Sequence, residues 1–248
     1  ERTILADEAA DARASAEGEK LRSALLSSIS HDLRTPLSSI VGSVTTLRSL
    51  DSKMTKPVRD DLLANIEEEA SRLSRFVANL LDMTKIEGGA VKLGKEPVDV
   101  ADVVAAAVRR ARQTWPQREI VTRIAPAIPP VAGDAALLEQ LVFNLLDNAH
   151  KYSPAESPTA VSVAEEDGQI VLRIVDEGSG VSQDELERIF EKFYRVKGGD
   201  GRSPGTGLGL AICRGIANAM GGSIQAESPV SKGRGTRLVV RFPKVASR

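Results

Sequence analysis

One cysteine and two histidines in 248 residues leave little room for the commonest thiol and zinc chemistries. Cys213 alone excludes an intramolecular disulfide framework and cannot build a thiolate metal site, so a reducing, cytoplasmic setting is expected. His31 and His150 are too few for a typical zinc centre, and any metal is expected on oxygen ligands. No apolar run is long enough to cross a bilayer, so no membrane contact is expected of this stretch of chain. Neither sign of charge dominates: Lys and Arg number 33 against 34 Asp and Glu, a net charge of -1. That balance removes the basic signature of a nonspecific nucleic-acid binder, and no nucleic-acid partner is expected. There is no internal repeat, and only the stretch Gly198 to Gly205 is of low complexity. The chain begins with Glu1 and has no basic-then-apolar leader, so it is read as an interior part of something longer, with whatever precedes it, in a membrane or otherwise, lying upstream.

What is present is a chain with 42% apolar and 27% charged residues, long enough for two domains with separate cores. Residues 1–20 are Ala-rich and of mixed charge, which suits a solvated helix. Leu25, Ile29, Leu33, Leu37, Ile40, Val44 and Leu47 then follow at steps of three and four, an amphipathic seam interrupted by Pro36, where a kink is expected. After a break at Asp51 to Pro57, a second seam runs through Leu63, Ile66, Ala70, Leu73, Val77 and Leu80. Two such helices form a hairpin whose apolar stripes exceed what one partner helix covers. A second copy completing a dimeric four-helix bundle is therefore expected.

Glu87-Gly88-Gly89 ends the helical part, and the composition shifts to shorter Val-, Ile-, Pro- and Gly-containing segments. Helices are expected around Val100 to Gln113, Asp134 to Lys151, Gln183 to Phe190 and Gly207 to Met220. Strands are expected near Glu119 to Ile124, Ala160 to Glu165, Gln169 to Asp176, Gly222 to Glu227 and Thr236 to Phe242. The fold class is thus a helical hairpin followed by an α+β two-layer sandwich, with boundaries at 1–20, 21–88, a linker at 89–95, and 96–248.

Four segments of the second part suit a nucleotide. On the helix from Asp134, Asn144, Asn148 and Lys151 cluster about a quarter turn from the packing stripe of Leu138, Val142, Leu145 and Ala149. Two carboxamide oxygens and an ammonium on one face fit a magnesium-phosphate group, although an ordinary wet helix face reads the same way. Asp176 ends a strand and is followed by Gly178 and Gly180; such a carboxylate can accept from an adenine amino group, though a plain turn would look alike. Gly205-Thr206-Gly207-Leu208-Gly209-Leu210 opens an apolar helix, and exposed N–H groups there favour phosphate. This is no Walker A loop, because the Lys-Ser/Thr ending is missing. Phe190 to Arg195, running into a Gly-rich stretch, suits a lid that brings Arg195 to a terminal phosphate, although an ordinary exposed arginine reads the same way. His150, Trp115 and Cys213 receive no chemical role, His150 only lining the pocket edge.

In the first part stands Ser30-His31-Asp32-Leu33-Arg34-Thr35-Pro36-Leu37. His31 sits about 200° round the helix from both Ile29 and Leu33, so its imidazole points away from the seam. Thr35 shares that outer face one turn on. An exposed imidazole with the Asp32 carboxylate nearby is a nucleophile candidate, and standing alone it would equally be a surface histidine.

Together these segments resemble the sensor histidine kinases of two-component signalling, from about Leu21 to Pro243. Ser30 to Leu37 is similar to the H box, Asn144 to Tyr152 to the N box, Asp176 to Gly180 to the G1 box and Phe190 to Arg195 to the F box. Gly205 to Leu210 is similar to the G2 box, and Gly233-Arg234-Gly235-Thr236 to the last glycine box. Within the family, Leu25 to Ile29 and Gly209 to Arg214 are most similar to KdpD-type kinases. The resemblance implies a dimerisation and histidine-phosphotransfer hairpin followed by an ATP-binding sandwich of the type shared with gyrase, Hsp90 and MutL.

It also implies that His31 is the phosphoacceptor, Asp32 its base, and Thr35 the residue that positions water to dephosphorylate a response-regulator receiver domain. Asn148 would hold Mg²⁺; Asn144, Lys151, Tyr152 and Arg195 would contact phosphates or the nucleotide edge. Asp176 would read the adenine of ATP, with Gly178 and Gly180 letting the backbone approach the ring; Thr236 would also contact the nucleotide, and Gly205, Thr206, Gly207, Leu208, Gly209 and Leu210 its phosphates. Transfer requires the ATP-carrying part to swing to His31, with hinges expected at Glu87 to Gly89 and Pro36. An ATPase of the gyrase type is a rival reading, but such enzymes carry a catalytic Glu where this chain has Asn144. A scaffold with a decayed pocket is a second rival, and the filled magnesium, adenine and glycine positions argue against it.

Overall fold

The computed structural model describes residues 33–50, 54–87, 96–196, 207–230 and 233–245. His31, Asp32, the Gly88-Gly89 pair, Gly205 and Thr206 lie outside them, as do the residues before Leu33 whose direction would reveal a kink at Pro36. Two compact units divide at Ala78 and Asn79.

In the first unit, residues 33–50 form helix α1, and Lys56–Glu87 begins there as the long helix α2. The two seams meet only partly. Ile40, Leu47, Ile66 and Leu73 are half-buried, whereas Leu37, Val41, Val44, Leu63 and Val77 remain exposed in the single chain. A polar contact pins the two helices together. The Asn65 carboxamide nitrogen donates to Ser39 Oγ at 3.1 Å and to Ser43 Oγ at 2.8 Å, and Ser43 is buried. An Asn that satisfies two hydroxyls favours one register of a helix pair over its slipped alternatives.

The second unit is a sheet covered on one face by helices. Strand β1 (Glu96–Val98) leads into α3 (Val100–Thr114), then β2 (Ile120–Ile124), β3 (Val131–Gly133) and α4 (Ala135–Tyr152). Strands β4 (Thr159–Glu166) and β5 (Gln169–Val175), helix α5 (Gly209–Ala219), and strands β6 (Ser223–Glu227) and β7 (Arg237–Pro243) complete it. The main sheet has the order β2-β4-β5-β7-β6, antiparallel except for the β2–β4 pair. The β4–β5 hairpin turns through Asp167 and Gly168, both at positive φ, the turn that an Asp-Gly pair favours.

Alternation explains the layers. Ile170, Leu172 and Ile174 of β5 and Leu238, Val240 and Phe242 of β7 are buried on the same face. They pack with Leu138, Leu141 and Leu145 of α4 and Ile212 and Ile216 of α5, each such side chain contributing roughly 1.5–3 kcal/mol. Asp99 and Asp134 cap α3 and α4, each carboxylate accepting two backbone N–H groups at 2.8–3.2 Å. Each cap is worth about 1 kcal/mol.

Two features differ from the sequence expectation. A full helix over Gln183 to Phe190 does not form; turns lead to a single 3₁₀ turn, Arg188–Phe190. Its deeply buried apolar residues are the adjacent Ile189 and Phe190 rather than a repeating stripe, so nothing rewards a longer helix. The short strands β1 and β3 pair antiparallel outside the main sheet, from Glu96 opposite Gly133 to Val98 opposite Val131, and three-residue strands carry no readable alternation.

Candidate active site

Helix α4, the β5 end, the turn before α5 and the start of β7 enclose one cleft. Asn144, Asp147, Asn148, Lys151 and Tyr152 line it from α4. Asp176, Gly178, Gly180 and Thr236 line a second side, Tyr194 and Arg195 a third, and Gly207, Gly209 and Leu210 the last. The packing stripe of α4 is buried, as expected, which is what turns the amide face outward. The Asn144 amide nitrogen is itself buried without a hydrogen-bond partner among the described residues.

Asp176 is the deepest charged group of the cleft, at 8% exposed. Its Oδ1 accepts from Gly178 N at 2.8 Å and from Thr236 N at 3.2 Å. Burial pushes its carboxyl above the usual aspartate range, opposed by those N–H donors and by the positive charge of Arg118. A glycine is required at 178 because a Cβ there would lie 2.3 Å from the Tyr152 carbonyl oxygen. The β5 end is thereby pressed against the exit of α4.

The start of α5 has no side-chain cap among the described residues. Leu208 stands at the N-cap with no side-chain oxygen to offer, so the first N–H groups of the helix receive no side-chain cap. Gly207 has φ +68°, and a Cβ on it would meet the Phe193 backbone at 2.6 Å. Phe193 N donates to Gly207 O at 3.0 Å, which ties the two described ends of the Gly-rich stretch together.

Of the site residues expected from sequence, Asn144, Asn148, Lys151, Tyr152, Asp176, Gly178, Gly180, Arg195, Gly207, Gly209, Leu210 and Thr236 lie around this cleft. Leu208 does not line it; its side chain is fully buried in the core. Thr35 is exposed on α1, in the other unit. His150 does not line the pocket edge either. Its ring stacks on Trp115 at 4.6 Å, and Trp115 stacks in turn on Phe143 at 5.3 Å.

Sequence reasoning missed two residues. Asp147 pairs with Lys151 within the cleft wall, an i,i+4 contact that the spacing could have revealed. Arg118, only 5% exposed, carries no motif and had no such signal.

The donor set suits a hard cation. The cleft side of α4 offers the Asn144 and Asn148 carboxamides and the Asp147 carboxylate, and among the described residues no thiolate or imidazole lines it. No cluster of three or more acidic, His or Cys ligands occurs among the described residues. That pattern fits Mg²⁺ held by one or two side chains together with substrate phosphates.

Comparison with known proteins agrees with this arrangement. Residues 21–89 match the His Kinase A (phospho-acceptor) domain family, and residues 133–246 match the histidine kinase-, DNA gyrase B- and HSP90-like ATPase family. The sensor protein KdpD of Clostridium acetobutylicum is 40% identical over 237 residues, covering 95% of this chain and 26% of that protein. A solved mycobacterial sensor histidine kinase, MprB, is 32% identical with TM-score 0.53, over 60% of this chain and 97% of that one. Full-length ShkA, solved in complex with AMPPNP, is 27% identical with TM-score 0.63, over 90% of this chain and 46% of that one.

The chain belongs to the sensor histidine kinases, and carries a phosphoacceptor module followed by an ATP-binding module. It spans about a quarter of the length of the KdpD relative it matches. No helix among the described residues is long and apolar enough to cross a membrane.

Proposed function

We propose that this chain is the kinase core of a two-component sensor: it transfers the γ-phosphoryl group of ATP to His31 and from there to an aspartate of a response-regulator receiver domain. The observation that carries the reading is the cleft itself, which gathers a buried carboxylate, an amide-and-lysine helix face and an uncapped helix start around one space. Asp176 accepts from the base amino group, and Lys151 and Arg195 face the phosphates. Asn148, with Asn144 beside it, would hold Mg²⁺, which supplies charge neutralisation to the phosphate oxygens. An imidazole nitrogen of His31 forms the new P–N bond as the bond from the γ-phosphorus to the bridging oxygen breaks. ADP leaves, and the ring proton passes to Asp32.

Two copies pair through the hairpin. This follows from Leu37, Val41, Val44, Leu63 and Val77, which a single chain leaves exposed along both helices. Thr35, four residues after His31 in the sequence, orients the water that removes phosphate from the receiver domain. The test of the whole reading is incubation with γ-labelled ATP followed by acid and base treatment of the labelled protein. Acid-labile, base-stable label is expected, and hydrolysis of ATP with no labelled protein contradicts it.

A further inference from the structure

Arg118 is a buried cation with no carboxylate in contact among the described residues. Its guanidinium spends its donors on the end of α4 and the loop that follows. Nη1 donates to Pro154 O and Ser157 O, each at 2.7 Å, and to Ser157 Oγ at 3.3 Å. Nη2 donates to His150 O at 2.8 Å and to Ser153 O at 3.3 Å, and Nε to His150 Nδ1 at 3.4 Å. Helix C-terminal carbonyls are short of donors and favour positive charge, so a planar fork is well matched to them. Lysine, with a single compact head, cannot span four carbonyls.

Lys151 and Tyr152 lie between the residues so held. Both line the cleft, and the Tyr152 carbonyl is the atom pressed against Gly178, whose N–H donates to Asp176. We propose that Arg118 is a positioning residue for base recognition: by fixing the exit of α4 from behind, it sets the Tyr152 carbonyl against Gly178 and so places the Asp176 carboxylate. The inference rests on the nucleotide reading of the cleft. Arg118 also acts on Asp176 through its charge, which favours the ionised carboxylate that a base amino group needs. The other groups acting on Asp176 are the Gly178 and Thr236 N–H donors and the Ser153 hydroxyl, none of which is charged.

The experiment is calorimetric titration of the whole chain with ATP from about pH 8 to about pH 5, for wild type, Arg118→Lys and Arg118→Met. Arg118→Met is expected to lose about tenfold or more in affinity and to lose binding at a higher pH than wild type. Arg118→Lys keeps the charge without the fork, so affinity is expected to fall at least about threefold with the acid limb unmoved. A merely structural role predicts the same acid limb in all three proteins. Affinities within about twofold of wild type in both variants, or an unmoved acid limb in Arg118→Met, overturn the proposal. If Arg118→Met does not fold, the Arg118→Lys affinity decides between the same threefold loss and twofold equality. Failure of the wild-type chain itself to bind ATP instead overturns the nucleotide reading, and with it this inference.

Discussion

The Thr236 backbone N–H donates to Oδ1 of Asp176 at 3.2 Å, joining residues 60 apart in the chain. The reverse bond, Asp176 N to Thr236 O at 2.9 Å, makes the contact reciprocal. The carboxylate is therefore aimed by two strands at once. What it can accept from in the cleft depends on its charge and not on side-chain freedom.

Asp176→Asn is expected to weaken ATP binding by about tenfold or more, since hydrogen bonds to charged groups are worth roughly 1.5–3 kcal/mol. Stability moves the other way. A carboxyl raised by burial contributes stability below its unfolded pKa and loses it as the pH rises through its folded value, so the ionised form is the costly one at neutral pH. Without nucleotide, the Asn variant should melt at or above the wild-type Tm. Wild-type affinity in that variant contradicts the role of Asp176.

Glycines of the cleft should separate into two behaviours. Gly207→Ala forces a methyl against the Phe193 backbone at positive φ, and should destabilise the second unit by roughly 1–3 kcal/mol. Among the described residues nothing lies within 4 Å of a Cβ at Gly209, in the first turn of α5. Gly209→Ala should fold at least as stably, by about 0.5–1 kcal/mol, while its methyl faces the cleft and lowers ATP affinity. Melting curves with and without ATP distinguish the pair; equal Tm losses contradict the geometry.

His150 gives a pH dependence. Burial, and then the neighbouring Arg118 charge, hold its imidazole below the usual range. A base depressed in the folded state contributes stability above its unfolded pKa and loses it as the pH falls through the folded value. Stability should therefore decline as the pH falls below the ordinary imidazole range, about 6.5, and His150→Gln should flatten that decline. An unchanged slope in the variant shows that other groups carry it.

Asn65→Ala removes both donors to Ser39 and Ser43 and leaves a buried hydroxyl unpaired. A loss of about 1–2 kcal/mol in denaturant unfolding of the helical unit is expected. Asn65→Leu should recover some stability while relaxing helix register, seen as broadened crosslinking between introduced cysteines. A single crosslinking register in both variants contradicts the pinning role.

Much of this arrangement is legible in the amino-acid sequence. The α4 periodicity separates packing residues from amides, because a 3.6-residue repeat with Leu138, Leu145 and Ala149 on one side leaves Asn144 and Asn148 on another. The glycine-rich opening of α5 likewise announces itself through its backbone demands. Arg118 does not, since its donors meet carbonyls that become neighbours only after β2 and β4 pair in parallel. Leu208 stands inside the phosphate-loop motif while its side chain serves the core, a division of labour that the motif alone does not reveal. The Gln183 to Phe190 stretch has helical composition, but Gln183 Nε2 is drawn to the Ser228 carbonyl at 2.5 Å, a long-range contact no local pattern encodes.

The most direct measurement is transfer from γ-labelled ATP to the whole chain, compared with His31→Gln. Wild type should acquire label that acid removes and base does not; the variant should stay unlabelled while binding ATP with wild-type affinity. Equal labelling of the variant, or wild-type protein that turns over ATP without becoming labelled, contradicts the account.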